Sequence, residues 1–324
     1  MKKILILHTG GTIAMSEDES GAVAPGSENP LNKFTNPFAD NLELITEDIF
    51  NVPSPHIGAN EMLILQKRIL AAEKDGIDGV VITHGTDTLE ETAYFLDLTI
   101  PNSLAIVITG AMRSANEIGS DGLHNLQTAI LTAANDQAKN QGVLVVMNDE
   151  IHTARYVTKT HTTNVATFRT PTFGPIGLIS KDRAHFFETL LNHTIQPITE
   201  VVDHVYLLKA YAGMDPELFS YLDNPNTNGV VIEALGAGNL PPRVLPQLQK
   251  LLDLKIPVVL VSRCFNGIAQ DVYAYEGGGV QLSEMGVIFC HGLNGQKARI
   301  KLLVGLSAGL DEEELAHFMS NAIS

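Results

Sequence analysis

The sequence of 324 residues is short of cysteines, long hydrophobic runs and positive charge. Its two cysteines, Cys264 and Cys290, are too few for a disulfide framework and lack the spacing of metal ligands. The apolar run near the start, Ile4–Leu7, is shorter than the core of a secretory signal, and no run approaches the ~20 residues of a membrane span. We therefore expect a cytoplasmic protein without a targeting or membrane segment.

Basic residues are outnumbered by acidic ones, 21 to 37, which gives a formal net charge of −16. Nucleic acids and anionic membranes bind basic surfaces, so neither is an expected partner. A small zwitterionic substrate remains compatible with this charge. The chain is long enough to bury a substantial core, and its length predicts about two domains.

Short apolar runs alternate with amphipathic segments along the chain. The predicted strands are Ile4–Leu7, Val80–Thr83, Leu104–Thr109, Val143–Met147, Val205–Leu208, Val230–Ala234, Val258–Val261 and Val287–Cys290. The predicted helices are Asn60–Asp75, Asp87–Leu98, Asp121–Ala138, Leu245–Leu252, Gln296–Val304 and Asp311–Ala322. This alternation is typical of α/β proteins with parallel sheets. Two of the helices begin with an acidic pair three residues apart, Asp87 with Glu90 and Asp311 with Glu314, which predicts capping boxes.

The apolar pattern weakens before residue 204 and then resumes. This change predicts a larger N-terminal domain over residues 1–190, a linker over 191–204 and a smaller C-terminal domain over 205–324. The stretch 16–40 is polar and has no periodicity. A long segment of this kind in a folded domain is typically a functional lid or disordered.

Two predicted strands end in similar polar turns. The first runs into His8–Thr12, where Gly10 and Gly11 allow a sharp turn and close approach to a ligand. The second runs into His84–Thr88, which also carries a glycine followed by a threonine. Ligands of open α/β sheets bind at the carboxyl ends of strands, so these turns could form a site. The alternative is structural, with Thr12 and Asp87 serving as helix caps.

A threonine hydroxyl is a weak nucleophile that needs a base or a charged neighbour. Lys159, within Tyr156–Thr163, is a candidate for that neighbour. From the spacing alone, the favoured interpretation is an ordinary solvated lysine on a threonine-rich strand. The histidines near these motifs, His8, His84 and His161, match no metal-ligand spacing, so no metal is predicted.

Several motifs in order resemble the bacterial-type L-asparaginase family. They are TGGTIA at 9–14, THGTDTLEETAYFLDLT at 83–99, TGAMR at 109–113, GVLVVMNDEI at 142–151, YVTKTHTTNVATF at 156–168, GAGNLPP at 236–242, SRCFNG at 262–267 and QKARIKL at 296–302. The resemblance covers essentially the whole chain. It implies a large N-terminal α/β domain, a smaller flavodoxin-like C-terminal domain, and a homotetramer built as a dimer of dimers. It also implies hydrolysis of L-asparagine to L-aspartate and ammonia, with weaker action on glutamine and with neither metal nor cofactor.

The resemblance also implies roles for individual residues. Thr12 would attack the side-chain amide and form a β-aspartyl ester, which water then cleaves. Thr86 and Lys159 would move protons, and Asp87 would hold the substrate's α-ammonium group. The remaining substrate-binding residues would be Gly11, Gly58, Ala59, Asn60, Ala111 and, from a neighbouring subunit, Asn239.

Three positions depart from the family pattern. Ala59 lacks the side-chain hydroxyl often found there, and no tyrosine lies between Met15 and Asn60 to serve as a lid residue. The glutamate that a neighbouring subunit supplies in periplasmic members aligns near Tyr273, with Glu276 three residues further on.

Two alternative functions share the fold. One is an asparaginase-like subunit of a transfer-RNA-dependent amidotransferase, which usually carries an extra N-terminal domain, whereas TGGT begins here at residue 9. The other is a non-catalytic amino-acid-binding protein, against which Thr12, Thr86, Asp87 and Lys159 argue. An ammonia-release assay with asparagine distinguishes the three.

Overall fold

In the computed structural model of the chain, residues 1–25, 29–38, 40–191 and 193–320 are described. The chain falls into two units, Met1–Ile195 and Gln196–Ser324. This division lies inside the predicted linker of residues 191–204, while the domain limits drawn at 190 and 205 stay a prediction. Within the described ranges, no helix is both long and apolar enough to cross a membrane.

The first unit is built around a large mixed sheet. Its strands in the described ranges are β1 (Lys2–His8), β2 (Met15–Glu17), β3 (Val23–Pro25), β4 (Leu42–Asp48), β5 (Gly79–Thr83), β6 (Ala105–Thr109), β7 (Val143–Met147), β8 (Glu150–Thr153), β9 (Thr158–Lys159), β10 (Phe168–Arg169), β11 (Gly177–Ser180) and β12 (Arg183–Phe186). Eight of these strands form one sheet in the order β12-β11-β8-β7-β6-β5-β1-β4. Strands β2 with β3 and β9 with β10 form separate two-stranded sheets.

Strands β4, β1, β5, β6 and β7 pair in parallel, and the strands beyond β7 continue the sheet in antiparallel pairs. Numbered in chain order, the parallel strands lie in the order 2-1-3-4-5. That order reverses direction between β1 and β5, and such a reversal is where doubly wound sheets bind their ligands.

Helices cover the parallel strands on both faces. In the first unit they are α1 (Ala59–Ala72), α2 (Leu89–Thr99) and α3 (Gly122–Ala133). The residues of β5, β6 and β7 are all buried, as expected of parallel strands covered on both faces. One side of the sheet packs into a cluster that includes Ile6, Val81, Val107, Leu126 and Ile130.

The second unit has a smaller, fully parallel sheet. Its elements in the described ranges are β13 (Val205–Lys209), α4 (Glu217–Ser220), β14 (Gly229–Ala234), α5 (Leu245–Asp253), β15 (Val258–Ser262), α6 (Gly279–Glu284), β16 (Ile288–Phe289), α7 (Gly295–Ser307) and α8 (Glu312–Ser320). The sheet order is β13-β14-β15-β16, so the strands in the described ranges follow chain order without a reversal. The order 2-1-3-4-5, which is typical of flavodoxin-like sheets, occurs instead in the first unit. A separate core includes Phe219, Val230, Leu248 and Leu260.

The predicted class is confirmed: an α/β chain with a larger, mostly parallel N-terminal part and a smaller C-terminal parallel sheet. Each of the eight predicted strands and six predicted helices overlaps an observed one, with ends shifted by a few residues. The predicted Asp121–Ala138 helix ends at Ala133 and is followed by a 3-10 turn, Asp136–Ala138. The end of the predicted Asp311–Ala322 helix lies outside the described residues.

The stretch 16–40 was expected to lack regular structure, and its described part corrects that expectation. Strands β2 and β3 form an antiparallel hairpin, with Ser16 opposite Ala24. A 3-10 turn, Pro30–Lys33, follows, and Asn29 caps it through a hydrogen bond from the N–H of Leu31. Residues 26–28 and 39 lie outside the described part.

A buried histidine supports the turn that follows β5. His84 Nδ1 lies 2.8 Å from the carbonyl oxygen of Gly85, and Nε2 lies 2.9 Å from the hydroxyl of Thr92. A neutral ring that donates from Nδ1 and accepts at Nε2 satisfies both contacts. Burial lowers the pKa of His84 to about 4, so the ring is neutral at pH 7 and its role is structural.

We expect His84 to make folding stability depend on pH. In the unfolded chain its pKa is ~6.5, so the unfolded state gains a proton as the pH falls from about 6.5 to about 4, while the folded state does not. The contribution of neutral His84 to the free energy of unfolding is complete above pH 6.5. It falls by about 1 kcal/mol between pH 7 and 5.5. Urea unfolding at several pH values measures it.

The variant His84→Gln has an amide that does not titrate, so its stability should fall less steeply over that pH range. The exposed His185→Gln is the matched control and should keep the slope of the parent protein. Equal slopes for His84→Gln and the parent protein would contradict this account.

Candidate active site

The reversal of strand order brings the turn after β1 next to the turn after β5. Gly10 and Gly11 have φ angles of 98° and 81°, a backbone conformation that favours glycine. A Cβ atom on Gly11 would collide with the backbone of Gly85, and one on Gly10 would collide with the backbone of Val52. The turns that carry Thr12 and Thr86 are therefore in direct contact.

Thr12 is the first residue of a 3-10 turn, Thr12–Ala14, whose N-cap is Gly11. The structural alternative, that Thr12 caps a helix, is therefore wrong. Ile13 and Ala14 are buried, whereas Thr12 is partly exposed. Among the described residues, none forms a hydrogen bond with the Thr12 hydroxyl, which leaves it available to a ligand.

The second cluster joins the turn after β5 to strand β9. The amine of Lys159 lies 3.0 Å from the hydroxyl of Thr86 and 2.7 Å from Oδ1 of Asp87. The Lys159 side chain is 16% exposed and that of Asp87 is 62% exposed. Lys159 is therefore a partly buried amine bound to two polar groups, and its interpretation as a solvated surface lysine is wrong.

Asp87 was a candidate N-cap for the following helix, and the structure corrects this prediction. Helix α2 begins at Leu89 with Thr88 as its N-cap, and Asp87 binds Lys159 instead. The other acidic pair does form the predicted capping box: the N–H of Glu314 donates to Asp311 (2.9 Å) and the N–H of Asp311 donates to Glu314 (3.1 Å).

Ser54 fixes the turn that carries Asp87. Its hydroxyl accepts the N–H of Asp87 at 3.2 Å, and its carbonyl oxygen accepts the Thr88 hydroxyl at 2.8 Å. Sequence reasoning missed this residue, because a lone serine in a Pro-Ser-Pro segment carries no signal of a contact 33 positions away. The N–H of Ile57 also donates to the Ser54 carbonyl, which connects the turn to the start of α1.

Gly58, Ala59 and Asn60 form the start of helix α1. Gly58 is the N-cap, and its N–H donates to the carboxylate of Glu61 at 2.9 Å. The N-terminus of a helix carries unpaired N–H groups and a partial positive charge, which favour an anion such as a carboxylate. Ala59 has no side-chain donor, so recognition at this position depends on the backbone.

The loop after β6 is the third turn at this edge of the sheet. The carboxylate of Asp121 accepts the N–H groups of Met112 and Arg113 at 3.0–3.1 Å. A Cβ atom on Gly110 would lie 2.6 Å from the carbonyl oxygen of His84, so this loop touches the turn after β5. Ala111 is buried at this contact, and its N–H has no partner in the described ranges.

A cleft of about 330 Å³ opens beside the second cluster and is lined by Asp87, Lys159, Thr160, His161 and Thr162. His161 is exposed, and its Nδ1 accepts the N–H groups of Thr163 and Asn164 at 3.1 Å each. Among the described residues, no group of three or more His, Cys, Asp or Glu could hold a metal ion.

The remaining predicted site residues lie in the second unit. Asn239 forms a backbone bridge with Leu235, and its side-chain Oδ1 is buried without a partner among the described residues. Tyr273 and Glu276 are exposed in the loop before α6. Their participation in a neighbouring subunit's site stays a prediction.

Comparison with known proteins gives matches along nearly the whole chain. The family model "Asparaginase, N-terminal" matches residues 3–192, and "Glutaminase/Asparaginase C-terminal domain" matches residues 204–319. A probable L-asparaginase of Deinococcus radiodurans is 38% identical over 329 residues, which cover 100% of this chain and 98% of that protein. The L-asparaginase of Bacillus licheniformis is 34% identical over 309 residues, 95% of this chain and 96% of that protein.

A solved structure agrees with these matches. The probable cytoplasmic L-asparaginase from Campylobacter jejuni has a TM-score of 0.87 to this chain at 34% identity, and the match covers 98% of this chain and 99% of that one. Family models, relatives and fold all extend over both units, and the motifs that predicted the family lie at the strand ends described above. The chain therefore belongs to the asparaginase family.

Proposed function

We propose that this protein hydrolyses L-asparagine to L-aspartate and ammonia, with weaker action on L-glutamine. The observation that carries the proposal is the contact of Lys159 with both Thr86 and Asp87, beside the turn that exposes Thr12. This arrangement combines a free hydroxyl, a hydroxyl bound to an amine, and a carboxylate at one edge of the sheet. The named activities of the relatives support the same reaction.

In the proposed reaction the Thr12 oxygen attacks the side-chain amide carbon of asparagine. The C–N bond breaks as the ester C–O bond forms, and the proton lost from the Thr12 hydroxyl leaves with the departing ammonia. Water then cleaves the β-aspartyl ester, which releases aspartate and restores the hydroxyl. Lys159 and Thr86 carry protons between these groups, a role that requires hydrogen-bonding distances such as the observed 3.0 Å.

The substrate's charged ends have candidate partners in the same unit. Asp87 would bind the α-ammonium group, since its carboxylate is 62% exposed and only one of its oxygens contacts Lys159. The N–H groups of Ala59 and Asn60 at the start of α1 would receive the α-carboxylate. Because asparagine and glutamine differ by one methylene, a fitted pocket distinguishes them by about 1–3 kcal/mol.

The oxyanion would be bound by backbone N–H groups. The N–H of Gly11 donates to the carbonyl oxygen of Val52 at 3.2 Å, so it is not a candidate donor to the oxyanion. Gly11 instead allows the close approach of its turn to Gly85. The N–H groups of Thr12 and Ala111 have no partner among the described residues. These two groups are the candidate donors.

The proposed assembly is a homotetramer, a dimer of dimers, in which Asn239 and the 273–276 segment complete a neighbour's site. Supporting it, the loop between β15 and α6 exposes the large apolar side chains of Phe265, Val272, Tyr273 and Tyr275, and the rings of the two tyrosines lie 5.6 Å apart. Exposed apolar patches of this kind mark interaction surfaces. We also infer a cytoplasmic location, as the Campylobacter jejuni protein's name states for that protein.

The first prediction concerns the nucleophile. Thr12→Ala removes the attacking oxygen, so ammonia release from asparagine should fall by about 10⁴-fold or more while the fold persists. Thr199→Ala, which removes an exposed hydroxyl outside the candidate site, is the matched control and should change the rate by less than about twofold. Near-normal turnover by folded Thr12→Ala would show that Thr12 is not the nucleophile.

The second prediction concerns Lys159. Lys159→Met keeps much of the side-chain length but removes the charge and three donors, so kcat should fall by about 10²-fold or more. KM should change less, because Asp87 still binds the ammonium group. The fold should survive, since an ion pair with one exposed partner contributes little stability. The exposed Lys74→Met is the control, and kinetics close to the parent for Lys159→Met would refute proton transfer by Lys159.

The third prediction concerns assembly. Light scattering should give the mass of a tetramer, and dilution should abolish activity once the tight dimer dissociates, because the proposed site borrows residues from a neighbour. A monomer with full specific activity would contradict this proposal.

A further inference from the structure

The structure contains a buried carboxylate beside the candidate site that the proposed reaction does not use. Glu90 lies in the first turn of α2, three residues after Asp87, and is 4% exposed. Burying a charged carboxylate is costly unless donors bind it. Its Oε1 accepts the Thr158 hydroxyl at 3.1 Å and the N–H of Lys159 at 3.3 Å. The carboxylate therefore binds the strand that carries the site lysine.

Strand β9 needs such an anchor because it lies outside the large sheet. Its two residues pair with β10 alone, Lys159 opposite Phe168 and Thr158 opposite Arg169. The eight-stranded sheet fixes the turn after β5, which holds Thr86 and Asp87, but its ladder does not include β9. Glu90 connects the two parts, since α2 follows that turn directly.

We propose that Glu90 is a positioning residue for Lys159, which holds the backbone of residues 158–159 so that the amine reaches Thr86 and Asp87. This inference rests on the proposed function of Lys159. Hydrogen bonds of 2.7 and 3.0 Å leave little tolerance, and a shift of about 1 Å in a reacting group can cost about 10²-fold in rate.

The contacts indicate positioning rather than charge compensation. Glu90 accepts the backbone N–H of Lys159, whereas the carboxylate that contacts the amine belongs to Asp87. Glu90→Gln keeps the shape and an acceptor oxygen but replaces charge-assisted hydrogen bonds with weaker neutral ones. The proton-transfer step should therefore suffer, while the groups that bind substrate stay in place.

The test begins with steady-state kinetics of asparagine hydrolysis by the full-length assembled protein. Glu90→Gln should lower kcat about 10-fold, with KM within about threefold of the parent value. Glu91→Gln is the matched control, since Glu91 is the next residue on the same helix and is partly exposed. Its kcat should stay within about twofold of the parent. A parental kcat in Glu90→Gln overturns the inference.

A double-mutant cycle distinguishes positioning from general destabilisation. If Glu90 acts through Lys159, then Glu90→Gln should lower kcat in the parent protein and have no further effect in the Lys159→Met background. A general structural role would lower kcat equally in both backgrounds and overturn the inference. Should Glu90→Gln fail to fold, Thr158→Val removes one donor to the same carboxylate and should show the same pattern with a smaller effect.

The outcomes also separate this inference from the proposed function. No ammonia release by the parent protein refutes the proposed function, whereas a parental kcat in Lys159→Met refutes the proposed proton transfer by Lys159 and, with it, the role of Glu90. Loss of activity in Lys159→Met together with parental kinetics in Glu90→Gln and Thr158→Val leaves that function standing and refutes the role of Glu90 alone.

Discussion

The close approach of two glycines, Gly11 and Gly85, is the constraint on which the site depends. Neighbouring strands in a sheet lie ~4.8 Å apart, and the turns that follow β1 and β5 stay in contact beyond the last strand hydrogen bonds. A single Cβ on Gly11 would overlap the backbone of Gly85 and force the turns apart. Each of these glycines is followed by a threonine. The contact that leaves no room for a Cβ atom therefore also places two hydroxyl groups at one edge of the sheet.

Around this contact, polar side chains rather than strand ladders hold the irregular backbone. Ser54 binds the turn after β5, Asp121 binds the loop after β6, and Glu90 binds strand β9. Each of them accepts a backbone N–H, and a hydrogen bond of this kind contributes about 0.5–1.5 kcal/mol to stability. The irregular backbone of the site is therefore held by three side-chain acceptors that lie on three different elements.

The elements that were predicted correctly from the sequence are those with a clear local pattern of apolar residues. The buried strands β1, β5, β6 and β7 were recognisable because short, continuous apolar runs are typical of strands covered on both faces. Strand β4, at the edge of the sheet, was missed because it is neither a continuous apolar run nor a strict alternation and it ends in Glu47 and Asp48, and β8 to β12 are too short and polar to give a signal. The two acidic pairs show the limit most clearly. Asp311 and Glu314 form the capping box, whereas the same pattern at Asp87 and Glu90 does not, because Lys159, 72 positions away, binds Asp87 and its own strand binds Glu90.

The two threonines of the site differ in what surrounds their hydroxyls, and this difference bears on how Thr12 could lose its proton. Thr86 has an amine 3.0 Å away, whereas the Thr12 hydroxyl has no partner among the described residues. The sequence has no tyrosine between Met15 and Asn60, so the segment that follows Thr12 contains no phenol group that could accept the Thr12 proton. Under the proposed mechanism, the base is then either Lys159, reached through Thr86 in the touching turn, or a group from a neighbouring chain. Only the first route lies within one unit of the chain, and it works only while β9 holds Lys159 within reach of Thr86. A tether on that strand is therefore a requirement of the route itself, and the buried carboxylate of Glu90 is the group on α2 that meets it.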